Sequence, residues 1–158
     1  MDINILIEDG IQPAMDAEWL QSVMEKTLLA EKAPDKAEIS LVLTGQERMQ
    51  ELNRDYRGKD QTTDVLSFSM SETKEGEEEQ EFISPPDGVI HLGEVIISYP
   101  QAEIQALESV HSIKKEMAAL IVHGVLHILG YDHEKAEMAP AMQSREKEIL
   151  AELEKELS

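Results

Sequence analysis

Three of the five histidines in the chain lie in one short stretch, from His123 to His133. His123 and His127 are four residues apart, so on a helix both imidazoles project from the same face, one turn apart. Gly130 allows the chain to reverse after that helix, which can bring His133 back to the same point. Three imidazoles around one cation, with one position left open, is the pattern of a catalytic zinc site. The spacing therefore predicts that His123, His127 and His133 bind one zinc ion per chain.

The residue after the first histidine decides which zinc chemistry is favoured. The spacing is similar to that of a zinc-protease motif, in which a glutamate follows the first histidine and acts as the general base. Here Gly124 occupies that position, and glycine can neither take nor give a proton. Because bound zinc itself lowers the pKa of water to about 7, a reaction that needs less from a side-chain base is favoured over peptide hydrolysis.

The alternative is that these histidines are ordinary core residues, which is the commoner role of a lone histidine on an apolar helix. The pair, the glycine and the third histidine together favour the metal site. His91 and His111 have no comparable neighbours and are interpreted as ordinary.

The elements that must position these residues follow from hydrophobic periodicity and capping signals. Strands are predicted over residues 3–7, 37–43, 65–68 and 89–98, the last with a bulge at Gly93. Helices are predicted from the N-cap Asp16 to the break at Pro34, from the cap Thr44 through Leu52, and over residues 100–108, 112–129 and 137–157. Gly130 is the predicted C-cap of the fourth helix, and residues 71–86 are a predicted loop.

This order of elements predicts an α+β fold, with a small mixed four-stranded sheet packed against helices. The helix that carries the histidine pair is apolar nearly all round, which is typical of a helix buried at the centre of a domain. We find no internal repeat and no linker, so residues 1–158 are predicted to form a single domain.

Composition excludes several classes of protein. The chain has no cysteine, which excludes disulfides, a thiolate nucleophile and any zinc site with sulfur ligands. No apolar run approaches the roughly 18 residues that a membrane span needs. The first residues carry neither the basic region nor the cleavage site of a secretory signal, so a cytoplasmic protein is expected.

Charge bears on the partners that the protein can bind. The 33 acidic and 14 basic residues give a formal net charge of −19, which argues against a protein that coats nucleic acid. Four bases nevertheless fall within twelve residues, namely Arg48, Arg54, Arg57 and Lys59. An enzyme that touches a short stretch of RNA at one basic spot is compatible with this distribution.

The stretch from His123 to His133, with Gly124 after the first histidine, resembles the signature of the YbeY family of bacterial metal-dependent endoribonucleases. Residues 52–60 and 63–68 are similar to the central block of that family, and residues 92–98 to the strand before its helices. The resemblance covers about residues 52–133, half of the chain.

The resemblance implies a single-strand-specific endoribonuclease that acts in 16S rRNA 3′-end maturation and in late-stage 70S ribosome quality control. It implies zinc held by His123, His127 and His133, and a functional arginine in a Tyr-Arg-Gly-Lys element, here Arg57. Implied partners are single-stranded RNA or rRNA and the ribosome, a ribosomal protein or a GTPase, with no role for DNA or a membrane.

The residue types are compatible with that chemistry. The planar guanidinium of Arg57 suits a phosphodiester and can stabilise the charge that develops on it, with Lys59 or Arg54 as weaker helpers. The alternative for Arg57 is a surface position or an ion pair with Asp60 or Asp64.

The sequence leaves three further questions open: the nucleophile, the role of Asp132 and the function itself. The nucleophile is either water activated at the metal or the RNA 2′-hydroxyl, and Asp132 either orients a metal ligand or caps the turn. The competing functions are a non-catalytic ribosome-assembly factor with structural zinc and a zinc-dependent peptidase.

Overall fold

A computed structural model of the chain describes residues 1–59, 61, 63–70, 89–131 and 138–157. For residues 155–157 it describes the backbone only. In chain order, the elements are β1 (Asp2–Ile7), α1 (Ala17–Ala30), β2 (Ala37–Thr44), α2 (Gln46–Arg57), β3 (Val65–Ser69), β4 (Ile90–Ser98), α3 (Tyr99–Glu108), α4 (Ile113–Ile128) and α5 (Ala139–Leu157). The predicted α+β class and the predicted order are confirmed. The loop expected over residues 71–86 and the start of the last helix at Glu137 lie outside the described residues.

The four strands form one mixed sheet in the order β1-β2-β4-β3. Strands β1, β2 and β4 are parallel, whereas β3 runs antiparallel to β4 at the sheet edge. Alternation in β1 turns Ile3, Ile5 and Ile7 toward the core, while Leu6 points away and is largely exposed. The mixed sheet is as predicted, and its edge strand β3 is the one that borders the histidine helix.

The predicted bulge at Gly93 is confirmed. Glu38 of β2 is paired with His91 and the next residue, Ile39, with Gly93, so β4 contains one extra residue at this point. Gly93 has a φ of +145°, and a Cβ atom there would collide with the carbonyl oxygen of Phe68. Only glycine fits both the backbone angle and the close approach of β3.

Helix ends agree with the predictions in part. The Asp16 side chain caps α1 by accepting a hydrogen bond from the backbone N–H of Trp19 at 2.8 Å. The prediction that Thr44 caps α2 is wrong: Gly45 is the N-cap. The Thr44 hydroxyl instead donates to Oε2 of Glu8 at 2.6 Å, which ties the ends of β1 and β2 together.

The end of α4 also differs by one residue. The C-cap is Leu129 rather than Gly130, and Gly130 follows it with a φ of +111°. Gly130 nevertheless takes part in capping the helix: its N–H donates to the carbonyl oxygen of His127 and the N–H of Tyr131 donates to that of Leu126, a pattern that favours a glycine with positive φ at this position.

Helix α4 lies at the centre of the fold. It packs against α1, α3 and α5 on its helical sides and against β3 and β4 of the sheet. Its buried side chains include Met117, Leu120, Ile121, Val122, Val125, Leu126 and Ile128. Burial on almost every side explains why the helix is apolar nearly all round, and the predicted central helix is confirmed. No helix of the described residues is both long and apolar enough to span a membrane.

Candidate metal centre and active-site cavity

A small cavity of about 160 Å³ lies where the end of α2 and the start of β3 meet α4. The described residues that line it are Arg57, Thr63, Asp64, Val65, Ser67, His123 and His127. The fold thus brings the arginine singled out from the sequence to the same cavity as the first two predicted metal ligands. The third predicted ligand, His133, and its neighbour Asp132 lie outside the described residues.

His123 and His127, the two predicted ligands that the structure describes, occupy one face of α4, as their spacing predicts. Nδ1 of His123 lies 2.7 Å from Oε1 of Glu146 on α5, so that ring nitrogen is engaged by a carboxylate. Nδ1 of His127 is buried. Both side chains are only partly exposed to solvent at the cavity.

Gly124 is the point of closest approach between α4 and the sheet. A Cβ atom on this residue would lie 2.7 Å from Cγ1 of Val95 and 3.2 Å from Oγ of Ser67. The Ser67 hydroxyl donates a hydrogen bond of 3.2 Å to the Gly124 carbonyl. The glycine is therefore required by packing, and this face of the helix has no room for the glutamate that a zinc protease uses as its base.

Arg57 is the last residue of α2, and the chain after it is fixed by two features. Gly58 ends the helix with a left-handed φ of 71°, a conformation that favours glycine. The buried Asn53 side chain donates to the carbonyl oxygen of Gln61 at 2.9 Å and so holds the following turn. Arg57 is itself exposed, and it lines the cavity together with His123 and His127.

The other two bases expected to help lie away from the cavity lining. Arg54 forms an exposed ion pair of 3.3 Å with its neighbour Asp55. Among the described residues that line the cavity, neither Arg54 nor Lys59 appears. Arg57 is thus the arginine that the fold places against the histidine pair.

Asp64 contributes a carboxylate to the cavity wall. Its Oδ1 accepts from the backbone N–H of Val65 at 2.8 Å, and its Oδ2 accepts from Nε2 of Gln105 at 3.2 Å. Gln105 also donates to the buried Glu116 at 2.8 Å, and Glu116 is 2.6 Å from Nε2 of His111. A hydrogen-bonded chain therefore leads from the cavity to His111, and it holds the start of β3 in place.

The donor set is suited to a transition metal. Two imidazoles share one cavity, and a histidine held through one ring nitrogen by a carboxylate is the usual arrangement around bound metal. Within residues 1–59, 61, 63–70, 89–131 and 138–157, no three His, Cys, Asp or Glu side chains are grouped so as to hold a metal ion. His123 and His127 are therefore suited to bind zinc, and a complete site needs at least one further ligand.

Comparison with known proteins assigns the chain to a family. The family model described as Endoribonuclease YbeY matches residues 3–154. The chain belongs to the YbeY family. The resemblance carried by residues 52–133 is confirmed, and the match extends it over nearly the whole sequence.

Three relatives named Endoribonuclease YbeY illustrate the similarity. The protein of Dehalococcoides mccartyi is 45% identical over 150 residues, covering 92% of this chain and 86% of its own length. That of Geobacillus thermodenitrificans is 41% identical over 150 residues, covering 95% and 94%. That of Bacillus cereus is 47% identical over 131 residues, covering 83% and 82%.

A solved structure supports the fold. The solution structure of a protein from Thermotoga maritima superposes with a TM-score of 0.63 at 27% identity, covering 98% of this chain and 90% of its own. Since the match spans both chains almost completely, the two proteins share a fold over nearly the whole length of this chain.

Two residues of the site were not singled out from the sequence. From the sequence, Asp64 is expected only as an ion-pair partner of Arg57, and Glu146 is one acid among many in the last helix. Glu146 does carry a signal: it falls on the helical stripe of Met142, Ile149 and Leu153, which are buried. A carboxylate on a core-facing stripe needs a polar partner, so the sequence pattern indicates that Glu146 contacts a polar group inside the fold.

Proposed function

We propose that this protein is a metal-dependent endoribonuclease that cuts single-stranded RNA, with rRNA at the 16S 3′ end as its substrate. We include late-stage 70S ribosome quality control in the same proposal. The observation that carries it is the cavity that groups Arg57 with His123 and His127. Relatives that cover most of the chain carry the name Endoribonuclease YbeY, which supports RNA as the substrate.

One zinc ion would be held by His123, His127 and His133. The chemistry that bound zinc supplies is polarisation of a phosphoryl oxygen and a pKa of about 7 for water. Glu146 holds the ring of His123, and the close packing of Gly124 on Val95 and Ser67 fixes the helix that carries both described ligands.

Arg57 is the proposed catalytic residue. Its guanidinium offers two parallel N–H donors to the non-bridging oxygens of a phosphodiester, and this contact strengthens as negative charge develops on them. Its exposed position in the cavity lining lets RNA approach, and the tight turn after the helix limits how far the arginine backbone can shift.

The experiment is cleavage of labelled single-stranded RNA and of a casein-type peptide substrate, each with and without chelator. Cleavage of RNA alone, lost on chelation and restored by zinc, supports the proposal. Cleavage of neither substrate would favour an assembly factor with structural zinc, and cleavage of the peptide would favour a zinc peptidase. Elemental analysis of protein purified without chelator identifies the metal.

The same assay distinguishes the two nucleophiles by their products. Attack by water leaves one end with a phosphate monoester and the other with a hydroxyl. Attack by the 2′-hydroxyl leaves a 2′,3′-cyclic phosphate. Substrate with 2′-O-methyl groups throughout is still cut in the first case and resists cleavage in the second.

The metal ligands are tested separately from catalysis. His127→Ala is expected to lose zinc, because a catalytic zinc site needs three protein ligands and the variant would retain only two of the three proposed histidines. His91→Ala, which removes a histidine that contacts Glu38 instead, is the matched control and is expected to retain zinc. Full zinc occupancy in the His127 variant would refute the ligand assignment.

A further inference from the structure

The imidazole of His123 is held from a neighbouring helix by a carboxylate. Nδ1 of His123 on α4 lies 2.7 Å from Oε1 of Glu146 on α5, and the two side chains are 30% and 24% exposed. A bond of this length to an ionised oxygen is charge-assisted and stronger than one between neutral groups.

The position of Glu146 on its helix is unusual for an acid. Met142, Ile149 and Leu153 lie four residues before and three and seven residues after it, and all three are buried in the core. Glu146 therefore occupies the core-facing stripe of an amphipathic helix, where an apolar side chain is expected. The contact with His123 accounts for a carboxylate at this place, since a partly buried acid on a core-facing stripe is stabilised by a partner.

The neighbouring residue fixes the helix at this point. Arg145 Nε donates to Glu31 at 2.5 Å, and its NH2 group donates to the carbonyl oxygen of Ala30 at 2.7 Å. These bonds tie α5 to the end of α1 and so hold the backbone beside Glu146. The carboxylate is thus presented to His123 by a part of the chain that is itself anchored.

The direction of the bond determines the chemistry of the ring. An ionised carboxylate can only accept, so the proton of a neutral His123 is located on Nδ1 and the lone pair on Nε2. We propose that Glu146 is a positioning residue, which fixes His123 in the tautomer and ring orientation that bind metal through Nε2. This inference rests on the metal role of His123 proposed above.

The first test measures zinc affinity by competition with a chromophoric chelator. Glu146→Leu suits the apolar stripe and should fold, and it is expected to bind zinc about 10–100-fold more weakly than the wild type. Glu146→Gln keeps an acceptor oxygen and should recover part of that loss. Glu152→Leu changes an exposed acid on the same helix and should bind as the wild type does.

The second test needs no metal. Nitrogen-15 NMR of the metal-free protein at mildly alkaline pH reports which nitrogen of His123 carries the proton. We expect Nδ1–H in the wild type and a shift toward the Nε2–H tautomer in Glu146→Leu. A role in helix packing alone would change the melting temperature without moving this signal. Glu146→Ala serves if leucine disturbs the packing.

The outcomes separate this inference from the proposed function. Wild-type zinc affinity in Glu146→Leu, an unchanged tautomer, or a glutamine variant no better than leucine would each overturn the positioning role. A wild-type protein that binds no zinc would instead overturn the proposed function, and the tautomer measurement would still decide whether Glu146 sets the state of the ring.

Discussion

Arg57 ends a helix, is exposed, and lines the same cavity as His123 and His127. Replacing it with alanine removes the donors that would face the phosphodiester, and we expect RNA cleavage to fall about 10²–10³-fold. Arg57→Lys should recover only part, since lysine lacks the planar pair of donors. Zinc content should be unchanged in both variants.

The control for this measurement is Arg54→Ala. Arg54 is exposed on the same helix and pairs with Asp55, so its loss should reduce cleavage much less. Equal losses in the two variants would mean that Arg57 acts only through general surface charge, and undiminished cleavage in Arg57→Ala would remove it from the mechanism.

Glu31 is the residue on which α1, α5 and the chain after α4 converge. Arg145 donates to it, and the Tyr131 hydroxyl donates to its other oxygen at 3.3 Å. The hydrogen bond to Glu31 raises the pKa of the Arg145 guanidinium. Burial, and then the charge of Glu31, raise the pKa of the Tyr131 hydroxyl. These directions mean that the guanidinium stays charged and the phenol neutral.

Arg145→Ala is therefore expected to lower the free energy of unfolding by about 1–3 kcal/mol, because it leaves a shielded carboxylate without its charged donor. The matched change is Arg48→Ala, which breaks an exposed pair with Glu51 and should cost less than about 0.5 kcal/mol. Chemical denaturation of both variants checks the difference, and equal costs would contradict the anchoring role of Arg145.

Local spacing was enough to predict the pair His123 and His127, because a helix alone fixes the relation between residues four apart. It was not enough for Glu146, which meets His123 only after α5 packs on α4. The relation of Arg57 to the histidines was likewise inaccessible from the residues themselves, because it depends on which sheet edge borders α4.

Among the contacts between elements, that of α4 with the sheet at Gly124 leaves little room for a side chain. Gly124→Ala gains about 1 kcal/mol in helix propensity but forces a methyl group against Val95. We expect a net loss of about 1–3 kcal/mol in the free energy of unfolding.

A double-mutant cycle tests that explanation. In a Val95→Ala background the colliding methyl groups are absent, so Gly124→Ala should be neutral or stabilising, and the coupling between the two changes should exceed about 0.5 kcal/mol. Additive effects would show that the cost arises elsewhere. Denaturation midpoints for the four proteins provide the measurement.

The elements themselves were predictable because alternation and helical periodicity report burial directly. The exceptions are at their ends. Thr44 has the side chain of a cap, yet its hydroxyl donates to Glu8, the residue directly after β1, a partner that no local pattern reveals. Gly93 was predictable as a bulge, but the carbonyl of Phe68 that forbids a side chain there belongs to a strand about 25 residues earlier.

The whole molecule carries a net charge of −19, and this constrains how it meets RNA. With contacts confined to Arg57 and a few neighbours, the slope of log affinity against log salt for a single strand should be between about −1 and −3. Fluorescence anisotropy with a labelled oligonucleotide over a range of potassium chloride gives this slope. A value steeper than about −6 would indicate an extended basic track instead.

We expect so few basic contacts to give only weak affinity for free RNA, which makes a protein partner part of the proposal. We expect a ribosomal protein or a GTPase to bring the enzyme to rRNA. Cleavage of isolated rRNA should then be slower than cleavage within ribosomal particles at the same rRNA concentration.

The bond between His123 and Glu146 joins α4 and α5, which pack against each other and are separated in sequence by residues 129–138. A ligand that favours the state of the imidazole bonded to Glu146 must also favour the docked state of α5, because both depend on the same contact. Zinc should accordingly slow hydrogen exchange at amides of the C-terminal helix that lie far from the ion, and a truncation that removes this helix should weaken zinc binding.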